Sequence, residues 1–267
     1  MLKRLFSKQN RALLSELVRT DFKLRYQDSV LGYGWTLLRP LLLFVILYVV
    51  FVKFLKIGND VPHYPVYLLL GIVVWNFFLE LTMQGLGSIV GRGGLIQKIG
   101  IPRWIIVVSS SFSALISFSL NLVVILIFML LNGINFSFSM IWLLPVFLEI
   151  YLFALGMSFL LATAFVKFRD VSYIWEVVLQ AGFYATPILY PLSRITNLTI
   201  QKLMLLNPIA QALQNARYIA VTKQAVIIQN VFKGGWYQYI PYGIVVLTLA
   251  LGVIYFRKES KNFAEQI

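Results

Sequence analysis

Cationic and aromatic side chains are concentrated between residues 21 and 40, directly ahead of a long apolar run. Arg25 and Arg39 carry guanidinium groups, which bind phosphate well. Tyr26, Tyr33 and Trp35 carry rings that suit the apolar faces of sugars. We therefore predict that these five residues bind an anionic glycolipid headgroup at the membrane surface. A membrane anchor without a ligand is the alternative, because Tyr and Trp are enriched at every membrane interface.

Other kinds of chemistry lack the residues that they need. The chain has no cysteine, so disulfides and thiolate metal sites are excluded. Its one histidine, His63, lies between Pro62 and Pro65, and we interpret it as a loop residue rather than a metal ligand. No glycine is followed by lysine, so the chain has no phosphate-binding loop of the kind that holds ATP. We predict no metal, no cofactor and no catalytic residue on this chain.

Three acidic residues, Glu80, Glu149 and Glu176, fall in or near apolar segments. Ionisable residues at membrane depth are functional candidates by default, so Glu80 and Glu149 are possible ion or proton sites of a secondary transporter. No cluster of acids surrounds them in the sequence, which disfavours ion coupling. Glu176 follows Arg169 and Asp170 closely and is interpreted as interfacial.

The composition is that of an integral membrane protein. Of the 267 residues, 60% are hydrophobic and 12% are charged, whereas a soluble domain carries about 25% charged residues. The net charge of +13 is explained by cytoplasmic loops and anionic lipid, so we expect no nucleic-acid partner.

Six stretches are long and apolar enough for a helix that crosses the hydrocarbon core, which takes about 20 residues. The fifth stretch is interrupted by Glu176 and Gln180 and disturbed at its end by Pro187. The sequence thus predicts an all-α integral membrane protein with six transmembrane helices. The predicted spans are Thr36–Ile57, Tyr64–Ser88, Trp104–Leu131, Ile141–Val166, Ser172–Tyr190 and Tyr239–Phe256.

The distribution of basic residues predicts the orientation. If the N-terminus is cytoplasmic, sixteen Lys and Arg residues lie inside and seven outside. Cytoplasmic loops carry the excess of positive charge, so both termini are expected in the cytoplasm.

Residues 8–25 predict a basic amphipathic helix that lies in the membrane interface. Leu13, Leu17 and Val18 fall on an apolar face, and Asp21 is placed to pair with Arg25 one turn later. We therefore divide the chain into a cytoplasmic interfacial helix and gate segment, residues 1–35, and a six-span transmembrane domain, residues 36–267.

The segment from Pro187 to Gln238 is long for a loop without structure of its own. Asn207 and Pro208 are typical of a helix start, with Asn at the cap and Pro at the first helical position. We predict short re-entrant helices in this extracytoplasmic segment. A surface loop lying on the headgroups is the alternative.

Several motifs together resemble one family. The chain is similar over almost its whole length to the membrane subunit of type-two ABC exporters for polysaccharides, the group that exports O-antigen, capsule and teichoic acid. The motifs, in the family's order, are RTDFKLRYQDSVLGYGWTLLRPLL, LIQKIGIPR, FRD at 168–170, ATPILYP at 185–191, LNPIAQ at 206–211 and the terminal FAEQI.

The resemblance implies a homodimer that binds two copies of a separate ATPase, which would hold ATP and Mg. It implies that residues 93–103 contain a coupling helix seated in the ATPase, and that residues 27–40 form a gate for the headgroup. The coupling residues that it implies are Leu95, Ile96, Gln97, Lys98, Ile99, Pro102 and Arg103.

By the same resemblance, the protein would move a polyprenyl-pyrophosphate-linked polysaccharide outward across the bacterial inner membrane. We expect aromatic side chains along the polymer's path, because stacking on rings tolerates different sugars. A similar exporter of a smaller lipid or drug and an ion-coupled secondary transporter are the alternatives. The expected path residues are Phe44, Tyr48, Phe51, Tyr184 and Tyr190.

Overall fold

The computed structural model describes residues 8–25, 31–32, 34–58, 60–98 and 101–266, and every regular element in this part of the chain is a helix. The all-α prediction is confirmed. Helix α1 spans Lys8–Arg25, as the amphipathic pattern predicted, and packs against the helix that begins at Arg103. Its position at a membrane interface stays a prediction.

In the described part of the chain, five helices are long and apolar enough to cross a membrane, so the protein is a multi-pass membrane protein. They coincide with five of the six predicted spans. Their bounds are Gly34–Phe54, Tyr64–Ser88, Arg103–Leu131, Phe138–Lys167 and Trp236–Asn262.

The first of these helices changes its winding near its end. Helix α2 runs over Gly34–Tyr48 and continues as a wider turn over Val49–Phe54. In the wider turn the amide of Leu55 donates to the carbonyl of Val50 at 2.9 Å. Pro40 lies inside α2, where its ring is buried.

Helix α3, Tyr64–Ser88, is the centre of the fold. In its first half, consecutive residues such as Leu68, Leu69 and Leu70 are all buried, so every side of this half contacts protein. An apolar circumference of this kind is typical of a helix surrounded by other helices. Around it pack α5, Arg103–Leu131, and α6, Leu143–Lys167, with the six-residue α4 at Gly93–Lys98 joining α3 to α5.

The fifth predicted span corresponds to a shorter helix. Helix α7 covers Val171–Ala185, 15 residues, which gives a length of about 22 Å against a hydrocarbon core of about 30 Å. It ends at Thr186, whose extended backbone is the conformation favoured before a proline. A sixth span therefore remains a prediction.

The segment after α7 contains short helices, as predicted. Asn207 caps one of them by accepting a hydrogen bond from the amide of Ile209 at 3.0 Å, and Pro208 is its first residue. How deeply this segment enters the membrane remains a prediction. The remaining helices are α8 at Leu198–Leu205, α9 at Pro208–Ala220, α10 at Ile228–Phe232, α11 at Ile240–Glu259 and α12 at Phe263–Gln266.

Candidate functional site

A cavity of about 1160 Å³ opens among α2, α3, α5 and α7. It exceeds the roughly 300–1000 Å³ usual for small-molecule pockets, and both apolar and polar side chains line it. The lining includes aromatic rings, one arginine, two glutamates and several amides, namely Trp35, Arg39, Trp75, Asn76, Phe77, Glu80, Gln84, Phe118, Asn121, Glu176, Gln180, Phe183 and Tyr184.

Contacts with α5 position the α2 wall. The side-chain amide of Asn121 donates to the carbonyl of Thr36 at 3.2 Å, which holds the first turn of α2. Further along, the ring of Phe44 meets that of Phe128 edge-on, with centroids 5.5 Å apart. Trp35, which is 47% exposed, lies beside Thr36 at this held end of α2 and faces the cavity.

Helix α7 is held to α3 by aromatic contacts and one hydrogen bond. The indole nitrogen of Trp175 donates to the hydroxyl of Thr82 at 3.1 Å. Gly182 lies against the indole of Trp75, where a Cβ atom would come within 2.8 Å. Trp75 also meets the ring of Phe183 edge-on. The cavity wall at α7 is therefore built on the surface of the central helix.

Two of the five predicted headgroup residues line the cavity. Trp35 and Arg39 are brought together there, and Arg39 is exposed. Arg25 is the last residue of α1, but its side chain lies outside the described residues. Tyr26 and Tyr33 also lie outside the described residues. Headgroup binding by this group stays a prediction.

The predicted path residues are placed differently from one another. Tyr184 lines the cavity, and the hydroxyl of Tyr190 donates to the carbonyl of Tyr184 at 3.1 Å. Phe44 is buried in the core, where its ring contacts those of Tyr48 and Phe128. Tyr48 and Phe51 pack at the edge of the same core. Within the described chain, Tyr184 is thus the path residue that the cavity includes.

A short helix, α4, lies where a coupling helix is predicted, and its coupling role stays a prediction. Ile96 is buried in a cluster that also contains Phe256 and Phe263, so α4 rests on the C-terminal part of the chain. Gln97 is exposed and Leu95 is half-buried. The Lys98 side chain and Ile99 lie outside the described residues. Pro102 is exposed and precedes α5, and the half-buried Arg103 is the first residue of α5.

Arg92, just before α4, connects the N-terminal helix to α5. It forms an ion pair with Asp21 of α1 and donates to the hydroxyl of Ser109 at 3.1 Å. The expected pairing of Asp21 with Arg25 stays a prediction, because the Arg25 side chain lies outside the described residues. The structure gives Asp21 a partner in Arg92, 71 residues away. Sequence spacing within one helix could not reveal this pairing.

Arg217 is one of the seven basic residues that the charge distribution places outside, and its side chain is completely buried. Its guanidinium donates to the carbonyls of Tyr67, Pro187 and Ile188 at 3.1, 2.5 and 2.8 Å, and it lies 3.5 Å from the centre of the Tyr67 ring. Arg217 thus joins α9, α3 and the turn after α7.

The two acids proposed for ion coupling occupy different surroundings. Glu80 lines the cavity and accepts a hydrogen bond from Gln84 at 3.0 Å. Glu149 is buried in α6, and among the described groups its Oε1 atom has no hydrogen-bond partner. It is absent from the described lining of the cavity. This separation does not favour a shared ion site.

Comparisons with known proteins point to one family. The profile of the ABC-2 type transporter family matches residues 12–221. The chain is 32% identical over 216 residues to the O-antigen export system permease protein RfbA of Myxococcus xanthus, covering 79% of this chain and 81% of that protein. It is 28% identical over 258 residues to a protein of the same name from Klebsiella pneumoniae, covering 95% and 94% of the two chains.

Proposed function

The chain belongs to the ABC-2 type transporter family, and from this premise we propose that it exports a polysaccharide. It would be the transmembrane subunit of an ATP-driven exporter that carries a polyprenyl-pyrophosphate-linked polysaccharide to the outer side of the bacterial inner membrane. Relatives named as O-antigen export permeases support this substrate class. The observation that carries the proposal is the cavity in which Arg39 lies with the rings of Trp35 and Tyr184.

The proposed assembly is a homodimer with two ATPase subunits, which hold ATP and Mg. A permease family of this kind implies an ATPase partner and a membrane setting. Both termini lie in the cytoplasm, α7 serves as the sixth span, and α8 and α9 are re-entrant. The excess of basic residues on the N-terminal side of the membrane supports this orientation.

In the proposed mechanism, the pyrophosphate docks near Arg25 and Arg39 because guanidinium groups pair with phosphate oxygens in two-pronged geometry. The sugars behind it then stack on Trp35, Phe183 and Tyr184, which line the same cavity. Stacking is tolerant of sugar identity, so each repeat of the polymer can slide past the same rings.

ATP-driven motion would enter through α4. Because Ile96 packs on Phe263 and Arg92 is paired with Asp21, a displacement of α4 is transmitted to both ends of the chain. Helix α1 leads towards the gate segment, so the coupling helix and the headgroup site are connected by a short route.

The proposal is tested by replacing Arg39 in cells that make the polymer. Arg39→Ala should lower the amount of polymer at the cell surface at least about tenfold. Lipid-linked polymer that has not been exported should accumulate on the cytoplasmic side of the membrane. Arg194→Ala is the matched control, because Arg194 is an exposed arginine paired with Asp60 and lies away from the cavity. Normal export by folded Arg39→Ala protein, at the control's level, would contradict headgroup docking.

The partner is tested by purifying the tagged chain from gently solubilised native membranes. We expect an ATPase in equal amount, and we expect it to be lost when exposed Gln97 is changed to a bulky residue such as Trp. Recovery of the chain alone, under conditions that preserve a known ABC complex, would contradict the exporter assignment.

A further inference from the structure

A row of polar side chains faces the cavity from two helices. Helix α3 places Asn76, Glu80 and Gln84 four residues apart, so they lie on one face of the helix. Helix α7 adds Glu176 and Gln180 at the same spacing. Polar and ionisable groups at membrane depth are expensive unless they face other polar groups or a water-filled path. The row therefore marks a polar route along the cavity.

Among the described residues that line the cavity, negative side chains outnumber positive ones. Among the described residues that line the cavity, formal charge is carried by Arg39, Glu80 and Glu176. Arg39 lies one turn into α2, and the two carboxylates lie on the helices that form the opposite walls. Once a phosphate is bound at Arg39, the polar groups that remain along the lining are carboxylates and neutral amides, and these meet the part of the cargo that follows the phosphate.

We infer that the five polar side chains form a hydroxyl-binding track that selects uncharged glycans, with Glu80 and Glu176 as its specificity-determining residues. The inference rests on the proposed function for the identity of the cargo as a glycan. Carboxylate and amide oxygens accept hydrogen bonds from sugar hydroxyls, and the amide NH₂ groups donate in return. The rings of Trp35, Phe183 and Tyr184 pack on the apolar faces of the same sugars.

Selection against acidic polymers follows from the same residues. A glycan with a carboxylate or phosphate in every repeat would bring like charges close to Glu80 and Glu176 inside a bundle of low dielectric constant, where repulsion is stronger than in water. The glycan's acid would also find no second cation among the described lining residues. Neutral repeats carry no charge that these carboxylates would repel.

The charge of the cavity can be measured directly because the natural chain has no cysteine. A single Met83→Cys thiol, on a half-buried lining position outside the track, is modified in permeabilised native membranes with a cationic trimethylammonium-ethyl or an anionic sulfonatoethyl methanethiosulfonate. We expect the ratio of cationic to anionic rates to fall about fivefold when E80Q and E176Q are added, since both carboxylates act on the thiol's surroundings. Gln229→Cys, exposed and distant from the cavity, should keep its ratio.

Glycan selectivity is then read by protection of the same thiol. A neutral manno-oligosaccharide should slow modification of Met83→Cys more than an alginate oligosaccharide of equal length, and the E80Q/E176Q variant should remove this preference. Equal protection by both sugars in the parent chain, no protection by either, or an unchanged rate ratio would overturn the inference. Glu16→Gln, at an exposed position of α1, controls for loss of an acid outside the cavity.

The protection assay needs no transport, so its result is separable from the proposed function. Preserved protection with no export in polymer-producing cells would contradict the exporter and leave the glycan track standing. Export in cells together with equal protection by both sugars would support the exporter and contradict the glycan track.

Discussion

Helices α2 and α3 line the same cavity but are held in opposite ways. In α3, 78% of the most apolar 18-residue stretch is buried, whereas in the helix over Gly34–Phe54 the share is 11%. Side chains such as Val45 and Phe54 of that helix are exposed and do not line the cavity. One wall of the cavity is therefore a fixed part of the core, and the other is attached at a few contacts, with its outer face exposed.

Helix α7 resembles α2 in this respect. Tyr173, Ile174 and Val177 are exposed, while Leu179 is buried against the core. Its attachment depends on Trp175 and on the close approach at Gly182. Because α3 is buried whereas α2 and α7 are largely exposed, we expect substitutions in the core to lower the stability of the fold. Substitutions on α2 or α7 should reduce transport with little loss of stability.

The largest effect is expected where the core holds a buried charge. Arg217→Met should reduce the free energy of unfolding by about 4 kcal/mol, because it leaves the carbonyls of Tyr67, Pro187 and Ile188 without their donor. The thermal midpoint of the detergent-solubilised protein measures this loss. Arg194→Met, at an exposed arginine, should change the midpoint little. Equal midpoints for the two variants would show that Arg217 does not stabilise the core.

A smaller loss of stability is expected where α6 and α11 cross. A Cβ atom at Gly252 would lie 2.4 Å from the carbonyl oxygen of Gly156, a backbone atom that cannot rotate away. Gly252→Ala should therefore cost about 2 kcal/mol through separation of the two helices. Gly243→Ala, in the same helix with open space around it, is the control and should be neutral or slightly stabilising. The thermal midpoints of the two alanine variants give the comparison.

The sequence was sufficient for most of the spans but not for the contacts between them. Five spans follow from the length of apolar runs, and the start of α9 follows from the capping chemistry of Asn207 and Pro208. The contact between Trp175 and Thr82 joins residues 93 positions apart, and that between Arg217 and Tyr67 joins residues 150 apart. Local periodicity carries no information about such distances.

The same limit applies to the candidate site. Trp35 and Arg39 could be recognised from their types and their place before an apolar run. The sequence singles out Glu80 as an acid within an apolar segment, but its alignment with Gln84 and with the polar residues of α7 along one cavity could be identified only from the packing. Phe44 was predicted on the path from its type alone, and the structure packs it against Phe128.

The ion pair between α1 and Arg92 should affect coupling more than folding. Asp21→Asn should lower the free energy of unfolding by about 1 kcal/mol, since the pair is mostly buried but Arg92 keeps its bond to Ser109. Export should fall several-fold because α1 would no longer follow α4. Glu16→Gln, on the same helix and exposed, is the control, and both variants are compared by thermal midpoint and surface polymer. Normal export by the Asp21→Asn variant would show that the Asp21–Arg92 ion pair is not needed for coupling.

The smallest effect on stability is expected at the attached wall itself. Trp35 is 47% exposed, so Trp35→Ala should change the free energy of unfolding by less than about 1 kcal/mol. Surface polymer should nevertheless fall several-fold, because a ring that faces the cavity is lost where stacking on sugars is proposed. Trp35→Phe keeps a ring and should recover most export, whereas Trp142→Ala, an exposed tryptophan away from the cavity, should export normally. If Trp35→Ala instead unfolds the protein as Arg217→Met does, α2 belongs to the core, and the contrast between the two walls of the cavity is wrong.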